Sequence, residues 1–87
     1  MLKPLTIENF SSLVRTGSVT RVHMAPCVLD GVSGWFIEVD HCDKLQSPRL
    51  HTKRGSLRVF RTSDAAIRAV QDSGFSRSVV VHLDGQL

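Results

Sequence analysis

Residues 19–41, VTRVHMAPCVLDGVSGWFIEVDH, decide the fold, because two stretches within them alternate as half-buried strands do. Over 35–41, Trp35, Ile37 and Val39 share one face, and Phe36, Glu38 and Asp40 take the other. Over 19–25, Val22 and Met24 oppose Arg21 and His23. Asp30-Gly31 and Ser33-Gly34 lie between the two stretches, and both are turn material. Parity then sets the pairing. For Val22 and Met24 to meet Val39 and Ile37, paired residue numbers must add to an odd value such as 61. That register puts Arg21 opposite Asp40 and His23 opposite Glu38, contacts of about 0.2–1 kcal/mol each. A slip of one residue would bury those charges, so the register is well specified.

The same register separates the cysteines. Cys42 is expected level with Val19, eight residues along the strand from Cys27. At the usual strand rise that is about 27 Å, whereas a disulfide needs Cα atoms within about 7 Å. Two free thiols are expected.

Outward from this hairpin, residues 6–16 read as a helix. Thr6 caps it, Glu8 sits in the first turn where the helix dipole favours an anion, and Gly17 closes it. Ile7, Phe10, Leu13 and Val14 form its apolar stripe. After a loop at 43–48, Arg49–Lys53 and Leu57–Arg61 read as two short strands around Arg54-Gly55-Ser56. Leu50, Leu57 and Val59 are their inward positions, and Phe60 points the other way. A second helix is expected over 64–73, capped by Ser63 and ended by Gly74, with Ala66, Ile67 and Val70 as its stripe and Phe75 folding back. Ser78–Leu83 closes the chain, and its three consecutive valines, 79–81, read as a strand covered on both sides. The expected architecture is a single α+β domain over 1–87, in the order α-β-β-β-β-α-β. Its sheet is mostly antiparallel, with two helices packed on one face.

Composition agrees with one small folded domain. Of 87 residues, 41% are apolar and 22% charged, a mixture unlike that of disordered chains. No apolar run reaches the roughly 18 residues of a membrane span. Met1-Leu2-Lys3-Pro4 opens no signal-peptide stretch, and two cysteines are too few for a secreted disulfide framework. A cytoplasmic protein that does not engage membranes is expected.

Motifs for catalysis are missing: there is no GxSxG, HExxH or P-loop. His41 and Cys42 are neighbours on a strand and so point to opposite faces. His23, Cys27, His41, Cys42 and His51 lack the spacing of a metal site. A non-enzymatic protein without metal, cofactor or small-molecule substrate is the expectation. The informative feature is charge. Eleven Lys and Arg stand against eight Asp and Glu, a net charge of +3. Arg49, Lys53, Arg54, Arg58 and Arg61 fall in thirteen residues that contain no acid, while Glu38, Asp40 and Asp43 crowd the stretch before them. Such a basic ribbon fits the DNA major groove, where Arg can read guanine and Lys can hold phosphates. The plainer reading is a solvated edge that Lys and Arg protect from aggregation.

The opening LTIENFSSLVRTGSV, the stretch LHTKRGSLRVFRTSDAAIRAV and the valine-rich closing strand together resemble small partition-associated proteins of plasmids and integrative elements, the ParC-like proteins. That resemblance implies company with a partition ATPase and a centromere-binding protein, and supplies no catalytic or ligand residue. The expected function is a bacterial, non-enzymatic accessory role in plasmid or mobile-element maintenance. It would bind DNA, or a DNA-bound partition protein, through Arg49, Lys53, Arg54, Arg58 and Arg61. The alternative is an interaction module that pairs with itself or a partner through an exposed strand edge.

Overall fold

The computed structural model describes residues 5–41 and 48–83 and shows an α+β architecture. Helix α1 (Ile7–Arg15) is followed by strands β1 (Val19–Leu29) and β2 (Val32–His41). Helix α2 (Ser63–Asp72) and strand β3 (Val79–Val81) complete it. Strand order in the sheet is β2-β1-β3. β1 and β2 are antiparallel, and β3 runs parallel to β1.

The hairpin has the expected register. Val22 faces Val39, Met24 faces Ile37, Arg21 faces Asp40 and His23 faces Glu38. Both strands run further than the alternation marked, because only Asp30 and Gly31 turn the chain. Their φ values of 53° and 78° are those of a two-residue hairpin turn whose twist suits the flanking strands. Ser33-Gly34 belongs to β2 instead. Pro26 is tolerated in β1 because the Met24 carbonyl accepts from the amide of His82, the residue after β3, on the side away from β2. By alternation the nitrogen of Pro26 faces that same side, so it withholds nothing from β2.

One irregularity corrects the register beyond Arg21. Val19 pairs with His41, so Thr20 is an extra residue, a bulge whose hydroxyl donates to the Asp40 carbonyl at 3.2 Å. Thr20 and Arg21 are both exposed, and Val19 returns to the core. The expected level pairing of Val19 with Cys42 is therefore shifted by one. Cys42 itself lies outside the described residues, and Cys27 is a free, half-buried thiol.

Both helices cover the Val22–Met24 face. Phe10 of α1 and Ala66 and Val70 of α2 join Val22, Met24, Ile37, Val39 and Leu50 in one core. Thr6 caps α1 as expected, its Oγ1 accepting from the Asn9 amide at 3.3 Å. Ile7, assigned to the apolar stripe, is instead 40% exposed. The cap of α2 is Thr62, not Ser63, with Thr62 Oγ1 accepting from the Ala65 amide at 3.1 Å. Gly74 supplies the left-handed residue after α2, with φ 95°, and Phe75 folds back into the core.

Two expectations about strands change. The 49–61 segment forms isolated bridges rather than two regular strands, so the order is α-β-β-α-β. Its first limb bonds to β2 through the Leu50 amide and Ile37 carbonyl at 2.9 Å. Its second limb returns at Phe60, which exchanges both backbone bonds with Trp35 at 2.7 and 2.8 Å. Phe60 is buried, against its outward assignment, while Leu57 and Val59 are half-buried and Arg58 is exposed, because the irregular backbone at 58–59 breaks the alternation. Strand β3, expected to be covered on both sides, is an edge strand. Val80 and Val81 reach solvent because nothing among the described residues pairs beyond it.

Candidate functional site

The basic segment is held by apolar anchors at both limbs. Leu50 is fully buried and Phe60 nearly so, which fixes the backbone between them against the edge of β2. Between them the chain reverses at Thr52–Ser56. The Thr52 amide donates to the Ser56 carbonyl at 2.8 Å, and the Ser56 amide donates to Thr52 Oγ1 at 3.3 Å. Gly55, at φ 91°, takes the left-handed position this turn demands. His51 Nδ1 donates to the Arg49 carbonyl at 2.7 Å and stiffens the first limb. The result is a braced loop rather than a free two-stranded ribbon.

The five expected cations divide into two groups. Arg49 is committed to the sheet: its Nε donates to Glu38 Oε1 at 3.3 Å, and its guanidinium lies 4.4 Å from the Phe36 ring centroid. The stacking shields Phe36, which together with Ala25 is buried on the face away from the helices. Lys53 meets Glu8 of α1 at 3.0 Å, but both side chains are largely exposed, so solvent screens the pair. Arg58 sits 5.1 Å from the Phe60 ring centroid and keeps its charge at the surface. Arg54 and Arg61 are exposed and form no ion pair among the described residues. Lys53, Arg54, Arg58 and Arg61 are thus the cations that a ligand can reach.

Arg61 also lines a groove of about 410 Å³ at the far end of the hairpin, with Pro26, Val28, Trp35 and Leu83. This contiguity of cation, aromatic ring and apolar wall is not readable from residue spacing, since it joins four separate parts of the chain. The bracing that creates it depends on Gly34. A Cβ there would lie 2.6 Å from the Phe60 carbonyl oxygen, so only glycine lets the second limb close on β2.

A polar line on the exposed sheet face was also beyond sequence reasoning. His23 Nε2 bonds to Asp40 Oδ2 at 2.9 Å, and His23 Nδ1 bonds to His82 Nε2 at 2.9 Å. The facing residues across the ladder are those expected, yet the side chains pair otherwise: His23 reaches diagonally to Asp40, and Glu38 turns to Arg49, its bridge partner on the other side of β2. Both ring nitrogens of His23 are occupied, so this residue ties β3 to the hairpin. No group of three or more His, Cys, Asp or Glu among the described residues is placed to hold a metal ion. Among those residues, no helix is long and apolar enough to cross a membrane. Compared with protein-family models, with curated proteins and with solved structures, the chain finds no match.

Proposed function

We propose that this protein is a non-enzymatic accessory factor of plasmid or mobile-element maintenance that binds DNA, or a DNA-bound partner, through residues 49–61. The maintenance role rests on the sequence resemblance to ParC-like partition proteins. DNA contact rests on one structural observation: Lys53, Arg54, Arg58 and Arg61 are all exposed on an acid-free loop whose limbs are anchored by buried Leu50 and Phe60. Cations on a braced backbone lose less conformational freedom on meeting phosphates than cations on a mobile arm. Arg49 serves mainly as a brace, through Glu38 and Phe36.

The second reading, pairing through a strand edge, is favoured by β3, where Val80 and Val81 are 36% and 44% exposed beside an unpaired edge. Salt separates the two. Phosphate binding weakens steeply as salt rises because counterions are released, while apolar strand pairing does not. Anisotropy of a labelled duplex, measured at low and at physiological salt, should show binding that falls with salt. Salt-insensitive self-association with no duplex binding would favour the edge instead.

A further inference from the structure

Trp35 is the single tryptophan of the chain. Its backbone is fixed by two bonds to Phe60, and its half-buried side chain lines the groove that Arg61 enters. Pro26 stands opposite Trp35 across the ladder, and Val28 and Leu83, 69% and 82% exposed, add to the apolar wall. We infer that this groove seats an unpaired base of single-stranded DNA, stacked on Trp35 while Arg61 holds the adjoining phosphate. The inference rests on the nucleic-acid reading of the basic loop and specifies the form of nucleic acid that it takes.

Two observations and one general constraint choose this occupant. The groove is apolar with one cation at its rim, a combination that suits a flat aromatic ring attached to an anionic backbone. Two cations lie close to it. Arg58 lies over Phe60, Phe60 pairs with Trp35, and Arg61 is the next residue after Phe60. A base seated on Trp35 therefore has Arg61 at the groove and Arg58 one residue pair away for its flanking phosphates. Finally, bases within a duplex are stacked on one another, so only an unpaired base can offer its face to the indole. The volume, about 410 Å³, is within the roughly 300–1,000 Å³ of small-ligand sites.

The test uses Trp35 as its own reporter, with no tyrosine to obscure it. Full-length protein is titrated with a short fluorescein-labelled oligothymidylate and, separately, with a duplex of equal length. Anisotropy reports binding, and tryptophan emission with unlabelled DNA reports stacking. The expected result is quenching by the single strand with the same midpoint as its binding, and little change in emission with the duplex. Trp35→Leu should weaken single-strand binding by about 5- to 150-fold, the range that one stacked base supplies. Because Trp35 also packs against the core, Val28→Asp provides a second variant at an exposed position, where a carboxylate at the groove wall should weaken the single strand several-fold more than the duplex. Binding of the oligothymidylate without quenching, or with equal response to Val28→Asp in both forms, overturns the base site and leaves the basic loop as the DNA contact. Failure of both DNA forms to bind overturns the base site together with direct DNA contact by the 49–61 loop.

Discussion

His82 Nε2 lies 2.9 Å from His23 Nδ1, a hydrogen bond between residues 59 apart in the chain that fastens the last strand to the first. One ring nitrogen must donate and the other accept, so the contact holds a single proton between them. Asp40, bonded to the far nitrogen of His23, Glu38, facing it across the ladder, and Arg21, two residues along β1, set the surrounding charge. The tie joins the residue after β3 to the middle of β1. Hydrogen exchange should show the His82 amide, bonded to the Met24 carbonyl, losing protection in His23→Ala while amides of the β1–β2 ladder keep theirs. His82→Ala should have the same effect, and unchanged protection in both variants would show that the contact contributes nothing.

Gly34→Ala should destabilise the protein by about 1–3 kcal/mol, as overpacking does. The added methyl meets a backbone oxygen, the Phe60 carbonyl, which cannot move without opening the Trp35–Phe60 bonds. Denaturant unfolding reports the stability. Loss of DNA affinity beyond the loss of folded protein would show that the limb carrying Arg58 and Arg61 has shifted.

Thr62→Ala should cost about 0.5–2 kcal/mol through loss of the α2 cap. Ser63→Ala should cost far less, since Ser63 is the first helical residue and its side chain caps nothing. Equal costs in thermal unfolding would contradict the assignment of Thr62.

Glu8→Gln should tighten DNA binding. Glu8 holds Lys53 at 3.0 Å and brings a negative charge beside the basic turn. With both partners largely exposed, stability should move by no more than about 1 kcal/mol. A gain of a few-fold in affinity at low salt is the expected reading.

The hairpin was legible because its residues alternate over long stretches and its charges punish a slip. Pro26 and Gly34 hid its full length. Each signals a break in sequence, and each is accommodated here by the place its backbone faces. Parity failed at Phe60 for a related reason: it assumes a continuous strand, and the 49–61 segment is a braced loop with only isolated bridges. The adjacent hydroxyls of Thr62 and Ser63 compete as caps, and only the structure chooses between them. The basic character of the site was readable as a run of charge, but not which cations are already engaged. That depends on Glu8 and Glu38, which reach the loop from α1 and β2. The groove at Trp35 and the His23–His82 tie join distant segments, so no local pattern announces them.

The central claim is that cations of the 49–61 loop bind nucleic acid, and the salt dependence of duplex affinity tests it most directly. Four accessible cations predict a slope of log K against log salt of about −3.6, at roughly −0.9 per phosphate. Replacing Lys53 and Arg54 together by Ala should bring that slope to about −1.8 with the fold intact, since both are exposed. No duplex binding at low salt, or a slope that the double variant leaves unchanged, would contradict it.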